Sequence, residues 1–332
     1  MVKAKTMRIL VVLAIITSLL FSLAGCSSST ATKTSEFQQV LEAAAKYAAS
    51  GKAPTVSAKD VYDKIVVGGD PSYFLISLQS PQHYEKGHVK GAINIPYADF
   101  WKKENIAKIP KDKKIITICY TGHTASQAAM LLNMLGYEAY AMKYGMMGWT
   151  SNPDILGIPV FTKAANYPVV TGDSKPTGNY ALPEIKTGKT NTNDIILARA
   201  EAYLTAKRPP TIEAKDVYDK VVVGNDPSYF LLSVRATEHD AKGHVKGAVT
   251  IPFKELFKEE NLKKIPKDKK IVVICYTGHL ASYTTMALNL LGYEAYAMKY
   301  GMMAWTDDPN VLNQAVFTKA EEFPTVAGPN PK

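Results

Sequence analysis

Ile115-Ile116-Thr117-Ile118-Cys119-Tyr120-Thr121-Gly122-His123 recurs as Ile271-Val272-Val273-Ile274-Cys275-Tyr276-Thr277-Gly278-His279, at an offset of 156 residues. The β-branched run before each cysteine reads as a buried strand. A glycine-containing loop follows and opens into an apolar, helix-period stretch ending at Leu-Gly-Tyr (135–137 and 291–293). Backbone N–H groups at a helix start are unpaired and carry the positive end of the helix dipole. A short loop wrapped around a sulfur atom can aim several such donors at it, making an anion-binding nest. That setting favours thiolate over thiol, and the thiolate is the nucleophile. Gly122 and Gly278 are the residues expected to supply positive φ or close backbone approach. A buried inert cysteine is the alternative, but Tyr-Thr-Gly-His is not the composition of a core strand.

The repeat keeps its register from Pro54/Pro210 to Lys163/Lys319 without a gap, and roughly four positions in five match between Lys111 and Met147. This is tandem duplication, and the period is far too long for a solenoid, so each copy is expected to be a full domain. Each copy begins with an Ala-rich helix (Phe37–Ala49, Ile195–Ala206) and continues into Ala-Lys-Asp-Val-Tyr-Asp-Lys (58–64, 214–220). Strands are expected at Tyr73–Leu78 and Tyr229–Val234, around Ile93-Asn94-Ile95 and Val249-Thr250-Ile251, before each cysteine, and at 138–143 and 294–299. Short apolar strands alternating with helices argue for an α/β fold with a mostly parallel sheet covered on both faces. Ligands in such sheets bind beyond the carboxyl ends of the strands, where both cysteines fall.

The first 25 residues read as a secretory signal: Lys3, Lys5 and Arg8, an apolar run from Ile9 to Leu20, then Leu23-Ala24-Gly25-Cys26. The ending resembles the bacterial lipobox, which implies lipidation of Cys26 and a membrane-tethered, extracytoplasmic protein. Ser27 lacks the Asp that often retains lipoproteins at an inner membrane, so the anchor is expected in the cell membrane or the outer membrane. Ser27–Ser35 reads as a flexible tether. The expected organisation is therefore signal 1–25, tether 26–35, first domain 36–167, linker 168–193, second domain 194–322 and tail 323–332. Beyond Cys26, only Cys119 and Cys275 remain. Each occupies the equivalent place in its own copy, so a disulfide would need the two loops to meet face to face; two separate thiols are expected. The net charge of +9, from 39 Lys and Arg against 30 Asp and Glu, is inflated by the signal and otherwise lies in mixed Lys-Asp runs. No aromatic-interleaved basic stripe marks a nucleic-acid binder.

Four motifs in fixed order resemble the rhodanese (sulfurtransferase) homology domain: the strand ending Ser77-Leu78-Gln79 or Ser233-Val234-Arg235, Lys-Gly-His-Val-Lys-Gly-Ala…Ile-Pro, Cys-Tyr-Thr-Gly-His, and Tyr-Gly-Met-Met-x-Trp (144–149, 300–305). The resemblance covers almost the whole mature chain as two tandem rhodanese-like domains, each expected to hold a mostly parallel five-stranded sheet flanked by helices. It implies that Cys119 and Cys275 accept sulfur as persulfides. It implies a substrate-binding anion cradle at Tyr120, Thr121, Gly122, His123 and Thr124, and at Tyr276, Thr277, Gly278, His279 and Leu280. Leu280 in place of Thr124 removes a hydroxyl and points to a slower or differently selective second site. Ser77 and Ser233 replace the family's Asp, and Gln79 with Gln82 stands where copy two keeps Arg235 and Glu238, read as an ion pair exchanged for an amide pair. His88 and His244 are expected to fix a turn. His123 and His279 are either solvent-exposed or add charge near the persulfide below about pH 6.5. Lys143 and Lys299 are candidates for the mouth, and Trp149 and Trp305 for packing.

The leading function is an extracytoplasmic sulfurtransferase, moving sulfane sulfur from a small anionic donor such as thiosulfate or polysulfide to a thiol or cyanide acceptor. The alternative is a non-enzymatic surface thiol module that carries persulfide, a chalcogen oxyanion or a metal. Some phosphatases share this fold, but their Cys-x5-Arg loop needs an arginine for the phosphoryl group, and Ala125 or Ala281 stands there. Neither loop carries a second cysteine or carboxylate at ligand spacing, so no metal and no cofactor are assigned. No protein partner is legible, and Tyr120-Thr121 matches neither thiosulfate-preferring loops nor the Cys-Gly-x-Gly of mercaptopyruvate-preferring ones.

Overall fold

In the computed structural model, which describes residues 34–330, the runs before the cysteines become central strands of two parallel sheets. The first sheet comprises β1 (Thr55–Val56), β2 (Tyr73–Ser77), β3 (Ala92–Asn94), β4 (Lys114–Ile118) and β5 (Glu138–Met142). The second comprises β6 (Thr211–Ile212), β7 (Tyr229–Ser233), β8 (Val249–Thr250), β9 (Lys270–Ile274) and β10 (Glu294–Met298). The orders are β1-β5-β4-β2-β3 and β6-β10-β9-β7-β8, every pairing parallel. The expected five-stranded α/β sheet is present twice, and parallel throughout. β1 and β6 escaped the sequence reading, because two residues carry no period.

β4 shows why apolar runs suit this fold. Ile115 belongs to one apolar layer and Ile116 with Ile118 to the other, so both faces are covered. The four longest helices among the described residues are α1 (Glu36–Ala49), α2 (His123–Met134), α3 (Thr192–Thr205) and α4 (His279–Leu290). The Ser35 hydroxyl caps α1 by accepting from the Gln38 N–H, and the Asn191 side chain does the same for α3. Residues 61–67 and 217–223 form π-helical turns.

The repeats are woven together rather than strung side by side. α2 packs on α4. Tyr47 of α1 stacks on Tyr283 of the second repeat, and Tyr203 of α3 meets Trp101 of the first. The segment following each repeat crosses to the other. Phe161 and Tyr167 lie on Tyr300, Trp305 and Tyr218, while Phe317 and Phe323 lie on Tyr144, Trp149 and Tyr62. Val170 then bridges His244, and Val326 bridges His88. The chain therefore leaves the first repeat before Pro168, where the linker was expected to start. Trp149 and Trp305 are fully buried packing residues whose indole N–H groups donate to the Pro324 and Pro168 carbonyls of these straps.

The expected signal, Cys26 and the expected tether as far as Lys33 lie outside the described residues. No helix among the described residues is long and apolar enough to cross a membrane.

Candidate active site

Each cysteine follows directly on the central strand and is buried, Cys119 at 2% and Cys275 at 1% exposure. The Gly122 N–H donates to Cys119 Sγ at 3.1 Å. At the second site the Gly278 and Ala281 N–H groups donate to Cys275 Sγ at 3.1 and 3.3 Å. Burial pushes the Cys275 thiol up, while the backbone N–H groups of Ala281, Thr277, Gly278 and Leu280 pull it down without overcoming burial. The cradle so defined runs one residue past the expected segment, to Ala281.

Two glycines make each loop possible. Gly122 sits at φ 85° and Gly278 at φ 84°, the left-handed region. Gly145, also at positive φ, passes so close that a Cβ would lie 2.2 Å from the Cys119 carbonyl oxygen. That approach lets the Met146 and Met147 N–H groups donate to the Cys119 and Tyr120 carbonyls at 2.7 and 2.8 Å. The Tyr-Gly-Met-Met motif is thus a latch on the cysteine loop, and residues 300–303 repeat it.

The side chains predicted to bind substrate divide into two groups. Tyr120 and Tyr276 anchor the loop through their hydroxyls: the Tyr120 hydroxyl accepts from the Ser80 N–H at 2.9 Å and lies 2.7 Å from His83 Nδ1. Tyr276 meets Ala236 and His239 in the same way. Thr124 lines a cavity of about 200 Å³ beside Cys119 and Thr121, whereas Leu280 packs against the core. The hydroxyl that Thr124 offers to the first cavity has no counterpart at Leu280.

His123 and His279 are neither exposed nor held as charges beside the sulfur. Both are 2% exposed, and their rings stack on each other across the repeats at 5.6 Å. His123 Nε2 accepts from the Tyr300 N–H and His279 Nε2 from the Tyr144 N–H, each at 2.9 Å. The proton then sits on Nδ1 and is donated to Thr121 Oγ1 at 2.9 Å or Thr277 Oγ1 at 3.0 Å. Burial, with Lys299 second, pushes His123 down to about 3; burial, His123 and Lys143 push His279 down as well. The two cysteine loops do face each other, contrary to the premise drawn from the sequence, yet both thiols remain free.

His88 and His244 do fix turns. Their Nδ1 atoms lie 2.8 and 3.0 Å from the Tyr84 and Asp240 carbonyls, and His88 stacks on Tyr84. The exchanged ion pair needs a correction. Gln82 and Glu238 are exposed, and the buried partner of Arg235 is Asp240, at 3.2 Å. Its counterpart in the first repeat is Tyr84. Gln79 reaches the Gly87 and Ile155 carbonyls just as Arg235 reaches those of Gly243 and Val311. Among the described residues no cluster of three or more His, Cys, Asp or Glu side chains is placed to hold a metal.

A duplicated parallel sheet with a glycine-shaped thiol loop at the carboxyl end of each central strand defines the class. The rhodanese-like domain model matches residues 57–152 and 214–308. The chain belongs to that family, as two tandem copies. It is 38% identical over 64 residues to the thiosulfate sulfurtransferase PspE of Escherichia coli, covering 19% of this chain and 60% of that one. It is 28% identical over 104 residues to the tRNA uridine(34) hydroxylase of Erwinia tasmaniensis, covering 30% of this chain and 29% of that one. The chain thus spans less than two thirds of either relative. A crystal structure of thiosulfate sulfurtransferase from Pseudomonas aeruginosa aligns over 90% of this chain and 50% of its own at 15% identity, with TM-score 0.30.

Proposed function

We propose that this protein is an extracytoplasmic, lipid-anchored sulfurtransferase with two thiol sites, and that its donor is a small inorganic anion such as thiosulfate or polysulfide. The carrying observation is the free Sγ of each cysteine, met by loop N–H groups at 3.1 Å. Family membership and the sulfurtransferase relative support this class of chemistry. With thiosulfate, the thiolate attacks the sulfane sulfur, the donor's S–S bond breaks, and sulfite leaves with the electron pair. The resulting Cys–S–S⁻ is held by the N–H groups that faced the thiolate. An acceptor thiolate or cyanide then takes the outer sulfur and regenerates the cysteine, a ping-pong cycle with no net oxidant or reductant.

Peptide-resolved mass spectrometry of the full chain after thiosulfate or polysulfide treatment tests this. The expected gain is about one sulfur atom at each of Cys119 and Cys275, removed by cyanide and absent at whichever position is changed to Ser. No gain at either cysteine would remove the sulfur-transfer reading in favour of a thiol-binding module. In the Cys119→Ser protein, loading at Cys275 should still be climbing between about pH 7 and 9, because burial holds that thiol protonated at neutral pH. A plateau by neutral pH would show the N–H groups to dominate. For the anchor, palmitate label in a bacterial host should be lost on Cys26→Ser; retained label would exclude lipidation there.

A further inference from the structure

The cavity beside Cys119 is not built by the first repeat alone. Cys119, Thr121 and Thr124 line one side, and Pro210, Thr211 and Lys299 of the second repeat line the other. Lys299 follows directly on β10, and its backbone N–H donates to the Ile212 carbonyl at 2.9 Å, at the end of the short edge strand β6. The next residue, Tyr300, gives its N–H to His123 of the Cys119 loop. The arrangement recurs with the repeats exchanged. The Lys143 N–H donates to Val56 at 2.8 Å, and the Tyr144 N–H to His279 of the Cys275 loop. Each lysine is thus tied through its neighbour to the thiol loop of the other repeat.

The two lysines differ in their company. Lys299 Nζ is 2.8 Å from Glu213 Oε1. The equivalent of Glu213 is Ser57, whose hydroxyl is spent on Asp60, so Lys143 has no carboxylate partner among the described residues. In other respects they match: both are half-buried, and each lies over the ring of the tyrosine that follows it, Lys143 over Tyr144 at 5.2 Å and Lys299 over Tyr300 at 5.5 Å.

We propose that each thiol site is completed in trans, Lys299 serving Cys119 and Lys143 serving Cys275, and that these lysines recruit the anionic donor, the unneutralised Lys143 more strongly. This rests on the sulfur-transfer reading for the identity of the donor, while the lysine placement is independent of it. Electrostatics agree: the Cys275 charge favours the ammonium of Lys143 against a larger opposing effect of burial. The design assigns opposite compromises to the two sites. The first has a hydroxyl at Thr124 and a screened cation; the second has Leu280 and a bare one.

The test compares alkylation by anionic iodoacetate with neutral iodoacetamide in the full chain, read at single cysteines by peptide mass spectrometry. In Cys119→Ser protein, Lys143→Gln should lower the iodoacetate-to-iodoacetamide rate ratio at Cys275 by about tenfold, and Lys143→Arg should restore it. In Cys275→Ser protein, Lys299→Gln should lower the ratio at Cys119 by a smaller factor, and Glu213→Gln should raise it. Each lysine variant is also read in the other single-cysteine background, and effects that fall on the cysteine of the same repeat, on both cysteines or on neither would overturn the assignment. If the crossed pattern holds while thiosulfate loads neither cysteine, the trans lysines stand and the sulfur-transfer reading falls.

Discussion

Lowering the pH from about 6.5 towards 4 should cost the fold about 1.4 kcal/mol per pH unit through His123, with a further loss in the same direction through His279. In the unfolded chain both imidazoles titrate near their ordinary value of about 6.5. In the folded protein burial holds His123 down to about 3 and His279 well below its ordinary value. Across that window the unfolded state binds more protons, so the contribution is full above about pH 6.5 and is lost as pH falls. The structural reason is specific. Each Nε2 accepts a backbone N–H from the other repeat, and protonation would set two donors against each other in a dry interface. Lys299 and Lys143 add like charge. Urea midpoints across this range, for the parent and a His123→Gln/His279→Gln double variant, measure the effect. Glutamine keeps an acceptor near Nε2 but cannot titrate, so the parent's excess slope should vanish in the double variant. Equal slopes in the two proteins would show that the stacked pair is not the source.

The second large effect concerns the buried ion pair of the second repeat. Asp240→Ala should destabilise the protein by about 3–5 kcal/mol, because it leaves the Arg235 guanidinium buried without its counter-charge. Arg235 and Asp240 are 0% and 1% exposed, and Asp240 also accepts from the hydroxyls of Ser233, Ser174 and Thr250. The first repeat supplies its own control. There Gln79 contacts the same pair of carbonyls, and Tyr84 stacks on His88 while donating to the Ala92 carbonyl at 2.6 Å. Grafting that solution as Arg235→Gln/Asp240→Tyr should recover much of the stability lost by Asp240→Ala. Chemical denaturation of the three proteins decides it. A double variant no better than the single one would mean that the lost hydroxyl contacts, rather than the stranded charge, dominate.

The motif order led the sequence reading to Glu238 as the partner of Arg235, since that position matches the family's acidic residue. Asp240 lies two residues further along a short helical turn, Thr237–Asp240, and its side chain is the one that faces inward. Exposure of Glu238 and burial of Asp240 follow from the path of that turn, which a single residue pattern does not encode. The same holds for Tyr120. Its place after the cysteine was legible, but not that its hydroxyl is committed to Ser80 and His83, thirty-seven or more residues upstream.

The duplication, the parallel α/β sheets, the cysteine at the end of each central strand and the left-handed glycine that wraps the loop about it were all legible in the amino-acid pattern. These depend on neighbours within a few residues, where steric and periodic rules act directly. Long-range packing set the rest: the loops face each other, the histidines are neutral interface acceptors, each following segment straps the other repeat, and Lys299 stands at the cavity of Cys119. Those pairings join residues fifty or more positions apart, and the histidine contacts join residues 135 and 177 apart. Both copies present nearly the same apolar and polar pattern, which says that a face is buried without saying which copy covers it.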